Sequence, residues 1–363
     1  MSSRKVAILG ITGSIGTQTV EVVKNLNYKI VAASAGTRID KLRALQQEYD
    51  IPVIYSPYGD FDRMLFEEVV CSSDIVVVAI SSVTEMSLVL KCLELGKRVA
   101  IATKEMIILG AEFFRKYMWK NLFPIDSEHA TLYMLLRHLP NLDLVKKVIL
   151  TASGGAFRDL TLEDIKKLSP KEALKHPVWN MGYKITVDSA TLANKGLELM
   201  EARVLFDIKP DKLDAVLHKE VIVHAMVELS DGFVMMGAYN PTMLLPIQFA
   251  LTYPNLEPSL VKPVSWDQVV LNFSSIPLSK YGMYRLAIEV LRTDDLKLYV
   301  SYLIADEIVV DGYIQEKISF DKMPILAEKI INTSEQFGDM PESPDERVKW
   351  YMDMKKRMKE VVI

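Results

Sequence analysis

The turn Gly10-Ile11-Thr12-Gly13-Ser14-Ile15-Gly16 constrains the fold of this chain more than any other stretch. It follows a short apolar run at residues 6–9 and leads into a helical pattern at 17–24, with Val20 and Val23 on its apolar side. Strand, glycine turn and helix, in that order, form the context in which a glycine motif binds a pyrophosphate. The glycines let the backbone approach the anion, and the helix N-terminus supplies N–H groups and partial positive charge. The spacing is G-x-x-G-x-x-G rather than G-x-G-x-x-G, and a tight turn without a ligand is the competing account. The alternation then continues. Residues 29–33, 52–55, 74–80, 98–102 and 122–125 read as apolar strands, and 60–70 and 84–95 read as helices. Such alternation predicts a doubly wound, Rossmann-like parallel sheet over residues 1–125 in an α/β protein.

The end of the second strand selects the nucleotide. An NAD site places an acidic residue there for the ribose 2′-hydroxyl. This chain has Ser34-Ala35-Gly36-Thr37-Arg38 instead. Arg38 can pair bidentately with a 2′-phosphate, which points to NADP; a solvated surface arginine is the alternative. After the fifth strand comes Ala102-Thr103-Lys104-Glu105, again at a carboxyl end, where ligands of open α/β sheets collect. Lys104 is equally readable as facing cofactor and substrate or as a surface residue at a helix start.

Asp126, Ser127 and Glu128 close the 122–125 strand and precede a helix expected at 130–139. On extended backbone the two carboxylates would point to one side and repel, unless a cation lay between them. All-oxygen ligation suits Mg²⁺ or Mn²⁺. A helix cap alone is the plainer account of Asp126 or Ser127. Further on, a strand at 144–151 runs into Ser153-Gly154-Gly155, whose backbone can form an anion-binding nest. A polar helical stretch at 164–174 gives way to His176-Pro177-Val178-Trp179-Asn180-Met181-Gly182, a loop apolar enough to act as a lid over 176–182. A strand expected at 184–187 precedes Asp188-Ser189 and the Asn194-Lys195 pair, and Ser189, Asn194 and Lys195 together suit one phosphate. Glu198 lies a helical turn from Lys195, where an intrahelical ion pair competes with service as a third metal carboxylate. A hairpin is expected from 221–229 and 233–238.

Pro254, Pro258, Pro263 and Pro277 punctuate a linker expected at 254–283, and the tail from 284 reads as helical. Ser343-Pro344-Asp345-Glu346 is a capping box, and Val348, Tyr351, Met354, Met358 and Val361 mark the apolar face of a terminal helix. The expected domains are thus 1–125 for nucleotide, 126–253 for metal and substrate, and 284–363 for a C-terminal helical domain beyond the linker. A chain of 363 residues accommodates them at about 150 residues each. The net charge of −4 argues against nucleic acid or acidic membranes as partners. Two cysteines make no disulfide framework. The first strand begins too close to Met1 for a signal peptide, and no apolar run reaches the roughly 18 residues of a membrane span. A cytoplasmic protein is expected.

These motifs, in this order, closely resemble the 1-deoxy-D-xylulose 5-phosphate reductoisomerase family: GITGSIG, Ile125 to His129, Ser153-Gly154-Gly155, the HPxWxMG of 176–182 and VDSATLANKGLE at 187–198. The resemblance implies an NADPH- and metal-dependent conversion of that sugar phosphate to 2-C-methyl-D-erythritol 4-phosphate in non-mevalonate isoprenoid synthesis. It implies that Asp126, Glu128 and Glu198 hold Mg²⁺ or Mn²⁺, and that Ser153, His176, Ser189, Asn194 and Lys195 hold the substrate. Lys104 and Ser127 would lie beside its reacting end, and Trp179 and Met181 in the lid. Thr12, Gly13, Ser14, Ile15, Gly36, Thr37, Arg38, Thr103, Glu105 and Gly182 would contact NADPH. It also implies a homodimer. Thr103 stands where the family usually has Asn, Thr37 where Lys is frequent, and Leu244-Leu245 in place of Arg-Thr; none of these is in the metal triad. An ordinary NADP dehydrogenase would instead survive chelation, and a nucleotide-sensing regulator would bind NADPH without turnover.

Overall fold

A computed structural model describes residues 3–166, 168–175 and 182–362. The chain forms two compact units. Met1–Met106, Glu112–Arg137 and Thr242–Val264 make the first; Ile107–Ala111, His138–Pro241 and Ser265–Ile363 make the second.

In the first unit, strands β1 (Lys5–Leu9), β2 (Lys29–Ser34), β3 (Val53–Tyr55), β4 (Ile75–Val78), β5 (Arg98–Ile101) and β6 (Leu122–Pro124) lie in the order β3-β2-β1-β4-β5-β6. All five pairings are parallel, as the alternation predicts. Between them run α1 (Ser14–Asn25), α2 (Ile39–Glu48), α3 (Arg63–Ser72), α4 (Met86–Glu94), α5 (Lys104–Leu109) and α6 (Ala111–Arg115), of which Ile107–Ala111 falls in the second unit, and α7 (Ser127–Arg137) follows β6. Every residue of β4, Ile-Val-Val-Val, is buried, because a parallel strand covered on both faces needs a continuous β-branched run. The strand order reverses between β1 and β4, the place where this architecture opens its ligand crevice.

The second unit holds β7 (Val145–Ala152), then α8 (Leu162–Ile165), α9 (Pro170–Ala173), α10 (Tyr183–Thr191) and α11 (Ala193–Phe206), then β8 (Leu213–Leu217), β9 (Val223–Leu229) and β10 (Val234–Ala238). The sheet order is β10-β9-β7-β8, with β7 parallel to β8 and the other pairs antiparallel. The expected β9–β10 hairpin is present. Two expectations need correction. The strand expected at 184–187 is the start of α10, whose first turn is closed by Thr186 Oγ1 donating to the Gly182 carbonyl at 2.8 Å. The helical stretch expected at 164–174 is two short helices, because Glu172 accepts from the Ser169 N–H (2.9 Å) and hydroxyl (2.5 Å) and restarts the helix at Pro170.

Helix α12 (Leu244–Thr252) belongs to the first unit. Arg98 at the start of β5 donates to the carbonyls of Ala250 (3.0 Å) and Tyr253 (2.5 Å), satisfying acceptors that a helix end leaves unpaired. Phe123, Tyr133, Phe249 and Tyr253 pack ring against ring around it. The segment expected to link domains at 254–283 is therefore divided, the part to Val264 with the first unit and Ser265 onward with the second. The tail is helical as expected: α13 (Gly282–Arg292), α14 (Leu296–Ile314), α15 (Met323–Asn332) and α16 (Pro344–Val362). The box at Ser343 and Glu346 forms, and Tyr351, Met354 and Met358 are buried. α14 is buried over most of its circumference and is the central helix of the second unit.

Candidate active site

The glycine turn of the first unit is held by the end of β2. The Ser34 carbonyl accepts from the Gly10 N–H at 3.0 Å and the Ile11 N–H at 2.9 Å. A Cβ on Gly16 would lie 2.2 Å from the Gly10 carbonyl oxygen, so only glycine allows α1 to lie this close to the turn. Gly13 enters α1 in extended conformation and brings no side-chain cap, leaving the helix N-terminus suited to an anion. Thr12 is buried, Gly13 and Ile15 are half-buried and Ser14 is exposed. Gly36, Thr37 and Arg38 are all exposed at the entry to α2. Lys41, which sequence reading missed, donates to the Thr12 carbonyl at 3.1 Å and is a second cation beside the turn. Its signal was its place one helical turn after Arg38.

At the other strand ends, Thr103 is buried and its hydroxyl donates to the Ile80 carbonyl at 2.6 Å, tying the exits of β4 and β5 together. Glu105 is half-buried in the first turn of α5. Lys104 is buried, with Nζ 3.0 Å from Asp126 Oδ2. The helix opens at Ser127 rather than Ala130, so Asp126 and Glu128 do not lie along extended backbone. They nonetheless approach, with one oxygen of each within 4.8 Å of the other. The Ser127 hydroxyl donates to Glu128 Oε2 at 2.5 Å. Buried His129 has Nδ1 3.9 Å from Asp126 Oδ2 and also escaped the sequence reading.

In the second unit, Gly155 sits at φ +66°, and a Cβ there would lie 2.3 Å from the Ser189 carbonyl oxygen. The Ser153-Gly154-Gly155 turn thus packs backbone to backbone on α10, and Ser153's own hydroxyl accepts from the Gly155 N–H at 3.2 Å. Leu192, in the left-handed region at φ +57°, passes the chain from α10 into α11. Asn194, Lys195 and Glu198 rise from the first turns of α11. Asn194 Nδ2 donates to Glu198 Oε1 and Lys195 Nζ to Glu198 Oε2. Lys195 and Glu198 are both buried, so the intrahelical pair considered from spacing is formed away from water. Gly182 is exposed at the entry to α10. His176, Trp179 and Met181 lie outside the described residues.

Family models for 1-deoxy-D-xylulose 5-phosphate reductoisomerase match residues 6–58, and for its C-terminal domains residues 122–206 and 238–361. The reductoisomerase of Pseudothermotoga lettingae is 36% identical over 348 residues, covering 94% of both chains. This chain belongs to the 1-deoxy-D-xylulose 5-phosphate reductoisomerase family. Its relative from Thermotoga maritima is 34% identical over 94% of this chain and 92% of the other. A crystal structure of DOX-P reductoisomerase in complex with NADPH, fosmidomycin and magnesium superposes with a TM-score of 0.89 at 30% identity, covering 99% of this chain and 97% of that one. The Zymomonas mobilis reductoisomerase in complex with NADPH gives 0.85 at 27% identity, over 99% of each.

The reductoisomerase residues present suit those two groups. In the first unit, two carboxylates approach each other with one ammonium beside them, a cluster with one negative charge in excess whose carboxylate oxygens suit a hard cation. The Gly16 approach and the uncapped start of α1 suit a pyrophosphate, and no acidic side chain occupies the end of β2 to repel a 2′-phosphate.

Proposed function

We infer that this chain is a 1-deoxy-D-xylulose 5-phosphate reductoisomerase, which uses NADPH and a divalent cation to convert its substrate to 2-C-methyl-D-erythritol 4-phosphate. Family membership along nearly the whole chain is the observation that carries this reading. NADPH is assigned to the glycine turn at Thr12 to Ile15, with the 2′-phosphate at Gly36, Thr37 and Arg38, and with Thr103, Glu105 and Gly182 toward the nicotinamide end. The metal, Mg²⁺ or Mn²⁺, is assigned to Asp126, Glu128 and Glu198. When bound it supplies a Lewis acid that polarises the substrate carbonyl and stabilises charge on the neighbouring oxygen.

The chain's own groups do the rest. Ser153, Ser189, Asn194 and Lys195, with His176, grip the phosphate, and that remote binding energy orients the reacting end. Lys104 supplies a fixed ammonium at Asp126, where it can hold the carboxylate charged and donate a hydrogen bond to a substrate oxygen. The Ser127 hydroxyl orients Glu128. Trp179 and Met181 belong to the segment assigned as the lid that excludes water. A homodimer is part of the same reading: β10 is the outer strand of its sheet, and Phe233, Val234 and Met236 expose apolar side chains there. A cytoplasmic location is supported by two free cysteines, and no described helix is long and apolar enough to cross a membrane.

The test is NADPH oxidation with 1-deoxy-D-xylulose 5-phosphate, with and without Mn²⁺, in the wild type and in Glu198→Gln. Metal-dependent turnover that the substitution lowers by about two orders of magnitude is expected. Turnover that survives exhaustive chelation, or an unimpaired variant, would end the assignment.

A further inference from the structure

One buried ionic cluster of the second unit has no place in the chemistry above. Lys184, in the first turn of α10, donates from Nζ to Asp188 Oδ2 at 2.6 Å, one turn along the same helix. The same Nζ donates to Asp306 Oδ2, also at 2.6 Å, from the middle of α14. The side chains of Asp306 and Asp188 are 0% and 4% exposed. Oδ1 of Asp306 has no hydrogen-bond partner. Next to it, Tyr183 Oη lies 3.5 Å from Asp311 Oδ1, a second link between the same two helices. Glu307, the other acidic group nearby on α14, is engaged from α16 by Lys355 at 2.7 Å and Tyr351 at 2.9 Å.

Two buried carboxylates on one half-buried ammonium are a poor means of adding stability; apolar side chains of similar size often serve as well. What such a group does provide is register, since an ammonium held at two short distances fixes the helix that carries it in rotation and in height. Burial drives the Asp306 carboxyl above its ordinary range, and the Lys184 ammonium opposes that rise. The helix so fixed carries Ser189, against which Gly155 packs, and continues through Leu192 into Asn194, Lys195 and Glu198.

We propose that Asp306 is a positioning residue for the reaction: through Lys184 it sets the register of α10 and thereby the placement of Ser189 and the start of α11 toward the substrate phosphate. This rests on the reading of Ser189, Asn194 and Lys195 as phosphate ligands. Asp306→Leu removes the acceptor, whereas Asp306→Asn keeps an oxygen for Lys184. The expectation is that Asp306→Leu raises KM for the sugar phosphate about 10- to 100-fold, the scale of an ångström of misplacement, with a smaller change in kcat. Asp306→Asn should restore KM to within about threefold, and the NADPH dissociation constant should be unchanged within about twofold in both, as for sites that share no partners.

Inorganic phosphate binding, measured by calorimetry on the same proteins, should weaken in parallel with KM. A folded Asp306→Leu protein with wild-type KM and phosphate affinity overturns the proposal, as does a lower melting temperature with unchanged constants per folded molecule. If that variant does not fold, Lys184→Gln/Asp306→Asn decides in its place: weakened phosphate binding supports the anchor and wild-type binding overturns it. A wild-type chain that binds phosphate but does not oxidise NADPH with the sugar phosphate overturns the assigned reaction instead, and the phosphate measurements still judge the anchor.

Discussion

Replacing Gly155 with alanine probes the contact on which the proposed phosphate-binding half of the site is built. The residue sits at φ +66°, and the new Cβ would meet the Ser189 oxygen at 2.3 Å, the Ser189 carbonyl carbon at 2.5 Å and the Ala190 Cα at 2.6 Å. Ordinary contact between heavy atoms is about 3.5 Å, so the shortfall is about 1 Å. All three atoms are backbone inside α10, so no side chain can rotate away. A left-handed conformation at a residue with a Cβ costs about 1–2 kcal/mol. Forcing extra volume into packed structure costs about 1–3 kcal/mol more.

The sum, about 2–5 kcal/mol, corresponds to a fall of roughly 5–20 °C in the melting temperature of a unit of this size. Relief can come only by moving the 153–155 turn away from α10, which separates Ser153 from Ser189. A displacement of about 1 Å there should cost the sugar phosphate about 100-fold in kcat/KM. NADPH is assigned chiefly to the first unit and should keep its affinity. Scanning calorimetry, steady-state kinetics and NADPH fluorescence titration on one preparation read all three. A Gly155→Ala protein matching wild type in melting temperature and in kcat/KM would refute the packing argument.

Arg38→Ala should weaken NADPH binding about 10- to 100-fold, the loss of a charge-assisted pair worth about 1.5–3 kcal/mol, and leave NADH binding unchanged; parallel fluorescence titrations check it. The raised carboxyl of Asp306 makes the folded chain hold a proton that the unfolded chain releases near pH 4, at about the ordinary carboxylate value. Its contribution is therefore complete below that pH and is lost as pH rises through the raised value, so urea midpoints of wild type should fall relative to Asp306→Asn across that window. Parallel midpoints would refute it. The Cys71 and Cys92 sulfurs lie 4.0 Å apart, but Cys92 is buried and burial pushes its thiol up, so a thiol reagent should label Cys71 in the folded protein and Cys92 only on unfolding.

The parallel sheet was legible because covered strands such as Ile75–Val78 have no other way to be written than as unbroken apolar runs. Strand β8 was legible in principle, since Leu213, Ala215 and Leu217 alternate with half-buried neighbours, but five residues between α11 and β9 are easily passed over. Helix α10 was not. Its Lys184-Ile185-Thr186-Val187 start alternates like a strand, and the rest is buried on nearly every side with Thr186, Asp188, Ser189 and Thr191 in positions a core helix gives to apolar residues. Local pattern fails where side chains are chosen for a site rather than for packing. The return of α12 to the first unit depends on Arg98, some 150 residues earlier, reaching the carbonyls of Ala250 and Tyr253, and no window of sequence contains that information.

The acidic residues show why the plain and the functional readings of such a sequence are hard to separate. Asp126 has Lys104 at 3.0 Å, Glu198 has Lys195 beside it on one helix, and Asp188 has Lys184 at 2.6 Å. A carboxylate that is to hold a cation must carry its charge in a site that burial makes unfavourable for charge. A neighbouring ammonium offsets that penalty, and the nearest place to encode one is three or four residues away on the same helix. The spacing Lys195–Glu198 that suggests a mere intrahelical pair is thus also what a buried metal carboxylate requires, and finding the pair does not count against the ligand. The discriminating property is what remains when the ammonium is taken away: Lys195→Met should leave a purely structural Glu198 protonated and harmless, but should disable a ligand by raising its proton affinity, so that metal is bound more weakly at pH 6 than at pH 8 by a wider margin than in wild type, as isothermal titration with Mn²⁺ would measure.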